Sequence, residues 1–207
     1  MGICENFLKN IFLRNLTFGR VYGKVVCVDF AQGFKGGFTV LKIIRERYLI
    51  STMLKLYRPE LSDLHFRQHL LSDPDTMSYN EKWGGTISFP REKWNSWYER
   101  WVCDKENKYF YSYLQDTETN DFVGETAYHY DEERKIFICD IIVLAGLRGN
   151  GFGTEGLKLL CDRARNNGVD VIYDDIAADN PSVNLFLKNG FVIDYQTDEI
   201  VMVKKEL

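Results

Sequence analysis

Long apolar runs are missing from this chain of 207 residues, although 45% of its residues are hydrophobic and 14% are aromatic. No stretch approaches the roughly 20 consecutive apolar residues that a membrane-spanning helix needs. Glu5, Lys9 and Arg14 fall where a signal peptide would have its apolar core. We therefore expect a cytoplasmic protein with one sizeable core and no membrane partner.

Paired cysteines and clustered metal ligands are also missing. The five cysteines are scattered along the chain and form no CxxC pair, which argues against a disulfide framework and against a zinc site. His65 and His69 have the spacing of two ligands on one helix face, but no third candidate ligand lies near them in the sequence. We predict no metal cofactor.

Acidic residues outnumber basic ones over most of the chain. Residues 1–52 contain eight Lys and Arg against three acidic residues, whereas the whole chain has a net charge of −4, so residues 53–207 are strongly acidic. An acidic surface disfavours nucleic acid, because phosphates are bound by clustered basic side chains. The charge instead favours a cationic substrate.

Hydrophobic periodicity divides the chain at residue 53. Residues 1–52 fit no regular pattern, since three glycines in residues 33–37 interrupt their candidate elements. We interpret them as an extension, and Met53 is a candidate for the natural start. Residues 53–207 predict one α/β domain with the element order β-α-α-β-β-β-α-β-α-β-β.

The middle of this domain predicts an antiparallel meander followed by a helix. Its strands are expected at Lys108–Gln115, Phe122–Tyr130 and Lys135–Leu144, and the helix runs from about Phe152 to Asn166. Later elements are a strand at Val169–Asp174, a helix starting near Pro181, and strands at Phe191–Tyr195 and Glu199–Lys204. An aromatic stripe on an earlier helix indicates a face turned to the core: Trp94, Trp97, Tyr98 and Trp101.

A glycine-rich turn joins the third meander strand to the helix after it. Arg148-Gly149-Asn150-Gly151-Phe152-Gly153 would leave backbone N–H groups bare at the positive end of a helix dipole, where phosphates bind. Gly151 and Gly153 let a ligand approach the backbone without a Cβ atom in the way, and Arg148 adds a positive charge. The turn predicts a phosphate-bearing ligand.

Two common phosphate loops fit this turn poorly. A Walker A motif needs Lys-Ser/Thr after its last glycine, but Leu157 follows Gly156. The dinucleotide-binding pattern GxGxxG is matched, with Asp174 or Asp175 at about the expected distance, but six residues separate the strand from the first glycine. A Rossmann-type dinucleotide binder stays as a minor alternative.

The same turn resembles the R/Q-x-x-G-x-G/A pyrophosphate motif of the GNAT N-acetyltransferase superfamily, with Val143 five residues before the arginine as in that family. Asn180–Phe191 resembles a second family segment, N-x-x-[AS]-x-x-L-[YF]-x-K-x-G-F. The resemblance covers residues 53–207 and is strongest over 135–195. It implies an α/β (α+β) fold in which helices flank a mixed central sheet, splayed at a bulge in the acetyl-CoA strand.

What the resemblance implies for the site is a co-substrate, acetyl-CoA, held mainly by backbone. The pantetheine arm would bond the strand edge at Val143, whose N–H would stabilise the oxyanion, and the amides from Arg148 to Thr154 would hold the pyrophosphate. The expected coenzyme contacts are Ile142, Val143, Leu144, Arg148, Gly149, Asn150, Gly151, Phe152, Gly153, Thr154, Asn180, Phe186 and Lys188.

The implied reaction is direct transfer of acetyl to a primary amine of a small cationic molecule or a peptide N-terminus. Glu125 and Asp140 are the candidate bases, because burial in apolar strands raises a carboxyl pKa towards neutrality; for Asp140 a purely structural role is the alternative. Substrate contacts are expected at Tyr79, Trp83 and Tyr128.

One residue departs from the family pattern. Phe186 stands where many members have a tyrosine that protonates the departing thiolate. Tyr128, Tyr130, Tyr173 or water could take over that role, or the chain could be an acyl-CoA-binding or regulatory module with weak or lost catalysis. We also consider a homodimer as its assembly.

Overall fold

The computed structural model describes residues 52–207, so the predicted extension lies outside the described residues apart from Thr52. Within them the predicted order of elements is confirmed. The strands are β1 (Leu54–Tyr57), β2 (Tyr109–Asp116), β3 (Phe122–Asp131), β4 (Ile136–Val143), β5 (Val171–Ala177), β6 (Val192–Gln196) and β7 (Ile200–Glu206). The helices are α1 (Leu64–Ser72), α2 (Trp94–Trp101), α3 (Phe152–Asn166) and α4 (Val183–Lys188).

The strands form one mixed sheet in the order β1-β2-β3-β4-β5-β7-β6. Neighbours are antiparallel except β4 and β5, which run parallel. A doubly wound dinucleotide-binding fold needs a mostly parallel sheet, so the Rossmann alternative is excluded. None of the helices in the described part of the chain is both long and apolar enough to cross a membrane.

Helices cover both faces of the sheet. On one face α3 presents Leu157, Leu160 and Ala164, spaced three and four apart, and all three are fully buried against the sheet. Gly156 lets this helix approach closely, because a Cβ atom there would lie 2.7 Å from the Leu114 side chain. α1 and α2 cover the other face.

The aromatic stripe of α2 belongs to the core, as predicted. Trp94 is only 8% exposed, and Trp97 packs edge-on against Tyr111 of β2 with 4.6 Å between ring centroids. Most boundaries lie within two residues of prediction. β5 continues three residues beyond Asp174, and α4 begins at Val183, because the preceding turn is closed by a hydrogen bond from the Ser182 N–H to Asn180 Oδ1.

Candidate active site

The central feature of the sheet is a gap between β4 and β5. In the described residues these strands pair only where Phe137 meets Ile172 and Ile138 meets Tyr173. Beyond that point each strand follows its other neighbour, since β3 pairs with β4 and β7 pairs with β5 over their whole lengths. The predicted splay is present, and it leaves one edge of the C-terminal half of β4 without a strand.

The splay forms without the bulge that the family resemblance implies. The register of β4 on β3 is unbroken from Ile136 to Val143 in the described structure. Gly124 permits this close pairing, because a Cβ atom there would collide with the carbonyl oxygen of Ile142. The two strands therefore diverge without an inserted residue in β4.

The hydrogen bonds of β4 determine which of its backbone groups face the gap. Leu144 donates its N–H to the carbonyl of Val123, 3.0 Å away, and so bonds towards β3. Backbone groups alternate between the two edges of an antiparallel strand. Ile142 therefore also faces β3, and Ile141 and Val143 face the gap. Ile142 and Val143 both line the cleft described below, whereas Leu144 does not, and their contacts with the coenzyme stay predictions.

The turn before α3 leaves donors at the mouth of the gap. Gly151 takes a left-handed conformation (φ 89°) as the residue that starts the helix, and no side chain caps the helix end. The first N–H groups of α3 are thus available to an anion at the positive end of the helix dipole. Gly149, Gly151, Gly153 and Thr154 all line the cleft described below.

Three other predicted coenzyme residues have side chains that lie outside the cleft lining. Asn150 is exposed and donates from its side chain to the carbonyl of Leu147. Phe152 packs into an apolar cluster beside β1, and Lys188 is exposed at the end of α4. None of the three side chains lines the cleft, and the predicted contacts from the backbone amides of Asn150 and Phe152 stay predictions.

Arg148 directs its guanidinium at backbone carbonyls. Nε donates to Val143 at 3.2 Å, and Nη2 donates to Thr76 at 2.5 Å. A carbonyl oxygen has two lone pairs, so Val143 can still accept a further bond from a ligand. Arg148 therefore holds the loop between β4 and α3 against the segment after α1, in addition to lining the cleft.

The gap opens into one cleft of about 990 Å³. Asn180 and Phe186 line the side formed by the turn after β5 and by α4, while Tyr79 and Trp83 line the opposite wall. Asp140 of β4 also lies in this cleft, together with two neighbouring carboxylates of β5, Asp174 and Asp175. Most of the predicted coenzyme and substrate residues thus share a single space with an acidic floor.

The prediction that Asp140 is buried is wrong. Its side chain is exposed to the cleft, because β5 has already diverged at this position. Protein atoms still surround it on its other sides, and this desolvation, followed by the negative charge of Glu125, raises its pKa to about 6. Burial and the charge of Asp140 also raise the pKa of Asp174 well above its ordinary value.

Glu125 belongs to β3 and does not line the cleft. Its two carboxylate oxygens are engaged by the guanidinium of Arg67 and the hydroxyl of Tyr111, and the residue is only 4% exposed. Arg67 in turn stacks on Trp97, 4.6 Å from the ring centroid. Both oxygens already accept a bond from a buried partner and the residue does not line the cleft, which argues against Glu125 as the base.

The tyrosines that were candidate proton donors are also placed away from the cleft. Tyr128 is fully buried under α3, where its hydroxyl accepts a 2.6 Å bond from Asn167 Nδ2. It projects from the face of β3 opposite to that of Glu125, since side chains alternate along a strand. The prediction that Tyr128 contacts substrate is therefore wrong. Tyr130 and Tyr173 do not line the cleft either.

Comparison with known proteins settles the family. The sequence model of the Acetyltransferase (GNAT) family matches residues 61–191, more than half of the chain. The chain belongs to the GNAT acetyltransferase family. As a GNAT protein it is an N-acetyltransferase with acetyl-CoA as acyl donor.

Solved GNAT structures share this fold. The chain is similar to the spermidine N-acetyltransferase of Vibrio cholerae in complex with CoA and spermine, with a TM-score of 0.61 and 18% identity over 74% of this chain and 95% of that one. It is also similar to yncA, a putative acetyltransferase of Salmonella typhimurium with its cofactor acetyl-CoA (TM-score 0.59, 16% identity, 75% and 94% covered). At these identities the likeness establishes the fold.

One curated protein is similar to this chain over a short stretch. The tRNA(Met) cytidine acetyltransferase TmcA 2 of Saccharolobus solfataricus is 38% identical over 55 residues, which are 27% of this chain. The chain spans only 7% of the length of that relative. This similarity therefore carries no information on the substrate of the present GNAT protein.

Proposed function

We propose that this GNAT enzyme transfers acetyl from acetyl-CoA to a primary amine of a small cationic molecule. The observation that carries the proposal is the cleft in which the edge of Val143 that faces the gap lies together with the side chains of Asp140 and Asp174. Opposite charges attract at short range in such a desolvated site. The polyamine substrate named for the Vibrio cholerae neighbour agrees with this choice.

In the proposal the coenzyme lies along the gap. The pantetheine arm adds to the free edge of β4 at Ile141 and Val143, as a peptide adds to an exposed strand. The N–H of Val143 faces the thioester carbonyl and stabilises the oxyanion. The backbone amides around Gly151, Gly153 and Thr154 bind the pyrophosphate, and Asn180 and Phe186 contact the arm near its sulfur.

Asp140 is the proposed base. An aliphatic amine with a pKa of about 10 arrives protonated, and the negative charge of Asp140 holds it in the cleft. With a pKa of about 6, Asp140 is ionised at neutral pH and can take a proton from the amine, directly or through water. The neutral amine nitrogen then attacks the thioester carbon, and the C–S bond breaks with its electron pair on sulfur.

Tyr79 is the proposed donor to the departing thiolate, in place of the tyrosine that Phe186 replaces. Among residues 52–207 its hydroxyl has only a weak partner, the sulfur of Met77 at 3.8 Å, and the ring lines the cleft wall. Burial and the charge of Asp140 raise the pKa of Tyr79, so the phenol stays protonated. It can therefore donate a hydrogen bond to the sulfur while solvent supplies the proton.

The test combines binding with turnover. Calorimetry measures acetyl-CoA binding, and a thiol-release assay covers monoamines, polyamines, aminoglycosides and peptide N-termini. We expect binding, and the fastest thiol release with amines that carry a second positive charge. Binding without release on any amine would favour an acyl-CoA-binding module, for which Phe186 is the only argument. No binding would remove the proposal.

Three expectations stay predictions. In the proposal the acceptor lies beside the carboxylate of Asp140, which supports an acceptor other than nucleic acid. The free thiols of Cys103, Cys139 and Cys161 are consistent with the proposed cytoplasmic location. A homodimer would be detected by light scattering.

Among residues 52–207 no group of three or more candidate metal ligands is found, and the proposed reaction uses no metal.

A further inference from the structure

Thr76 is a buried polar residue that the proposed reaction does not use. It follows α1 and is completely inaccessible to solvent. Its hydroxyl donates to Asp73 Oδ2 at 2.5 Å and accepts the N–H of Ala145 at 3.0 Å, and its carbonyl accepts Arg148 Nη2 at 2.5 Å. A threonine hydroxyl has one hydrogen to donate, so these bonds fix its orientation.

These bonds join the two sides of the cleft. Ala145 and Arg148 belong to the loop between β4 and α3, 69 and 72 residues away in sequence. Met77 follows Thr76 directly and is buried, and the chain then forms the short helical segment Ser78–Trp83, which carries Tyr79 and Trp83 into the opposite wall. The position of that wall relative to the loop thus depends on Thr76.

The network also reaches the strand edge. Arg148 binds the Thr76 carbonyl through Nη2 and the Val143 carbonyl through Nε. Because the guanidinium is planar and rigid, a shift of one carbonyl is transmitted to the other. Thr76 therefore influences both the loop that precedes the N-terminus of α3 and the edge that faces the gap.

A second tie at the other end of this wall is weaker. Lys82 pairs with Asp179 in the turn after β5 at 2.5 Å, but the side chains are 59% and 61% exposed. Exposed ion pairs are screened by water and salt and contribute little. The buried bonds of Thr76 are consequently the stronger of the two links.

We propose that Thr76 is a positioning residue that sets the amine-side wall, carrying Tyr79, against the coenzyme loop and Val143. The inference rests on the proposed use of this cleft, and it assigns Thr76 no contact with either substrate. Its hydroxyl preorganises the loop, so that coenzyme binding does not have to order the backbone around Ala145. Loss of the hydroxyl should weaken coenzyme binding although Thr76 does not contact the coenzyme.

The test compares Thr76→Val with Thr76→Ser. Valine keeps the shape but leaves the Ala145 N–H without its acceptor, and we expect about tenfold weaker CoA binding by calorimetry, the effect of one lost hydrogen bond. Serine keeps the hydroxyl and should stay within about twofold of wild type. In the thiol-release assay the valine variant should also raise the KM for the amine, because Tyr79 and Trp83 move with the wall.

Ser112→Ala is the matched control. Ser112 is 2% exposed and donates to the carbonyl of Tyr57, between β2 and β1 and away from the cleft. It should lower the melting temperature as a lost buried bond does, with unchanged CoA affinity. If Thr76→Val fails to fold, Asp73→Asn weakens the acceptor of the same hydroxyl and should reduce CoA affinity in the same direction.

The outcomes separate the two proposals. Wild-type protein that does not bind CoA overturns the proposed function and this inference together. If wild-type protein binds CoA and the folded Thr76→Val or Asp73→Asn variant binds it with equal affinity, only the role of Thr76 is overturned. A weaker affinity that serine also fails to restore points to packing around the side chain and likewise contradicts the role of the hydroxyl.

Discussion

The pH dependence of the reaction tests the role of Asp140 most directly. Its pKa of about 6 predicts that kcat/KM rises with pH through an acidic limb centred near 6. At pH 5 only about one tenth of such a carboxylate is ionised, whereas a carboxylate with an ordinary pKa of about 3.9 is about 90% ionised. We therefore expect roughly tenfold lower kcat/KM at pH 5 than on the plateau.

The matching variant is Asp140→Asn, which keeps the size of the side chain and removes its charge. Loss of a general base reduces kcat by about 10²- to 10⁴-fold, and the acidic limb should disappear from the remaining activity. The assay is thiol release at saturating acetyl-CoA, from pH 4.5 to 8, with the best amine of the panel. A limb near pH 4, or an asparagine variant with wild-type kcat, would refute the assignment.

Stability should move in the opposite direction to activity. Because the folded state has the higher pKa, it binds the proton of Asp140 more tightly than the unfolded chain does. The contribution of this group to stability is therefore lost as pH rises from about 4 to about 6. Asp140→Asn should melt at a slightly higher temperature than wild type at pH 7, measured by circular dichroism.

Three further predictions follow from side chains around the cleft. Tyr79→Phe should lower kcat about tenfold with less than a twofold change in the KM for acetyl-CoA, since one hydrogen bond to the departing thiolate is lost; an unchanged kcat would contradict its role. Gly153→Trp should abolish acetyl-CoA binding in calorimetry with the circular dichroism spectrum retained, because a Cβ atom there already points at Leu185 of α4, 3.2 Å away. Glu125→Ala leaves Arg67 buried without its partner and should destabilise the fold by about 3–5 kcal/mol in urea titration; a loss below about 1 kcal/mol would show that the pair is not effectively buried.

Local signals in the sequence predicted the elements and the anion-binding turn well. Alternation in β2, β3 and β4 and the glycines around Gly151 act within a few residues, and such patterns are readable without a structure. The end of β5 was misjudged because adjacent aspartates are depleted in strands. Here Asp174 and Asp175 stay within the strand, as they lie beside the gap where β4 has diverged.

The site needed contacts that one sequence does not reveal. Whether Ile142 or Val143 faces the gap depends on which residues bond to β3, and this is fixed only by strand register. Glu125 has the sequence context of a catalytic base, but its partner Arg67 lies 58 residues away in the sequence, and only the fold brings the two together. Thr76 gave no signal at all, because its role arises from bonds to residues about 70 positions later.

Because ligand can bind at the strand edge beside Val143, the stability of the folded chain depends on the concentration of its acyl donor. Any molecule that occupies the gap binds the folded chain and has no counterpart site in the unfolded one. By mass action, a donor at 100 times its Kd adds about 2.7 kcal/mol to the free energy of unfolding. Differences of that size alter how much of a protein survives cellular degradation. The amount of this enzyme would then follow the supply of its own acyl donor.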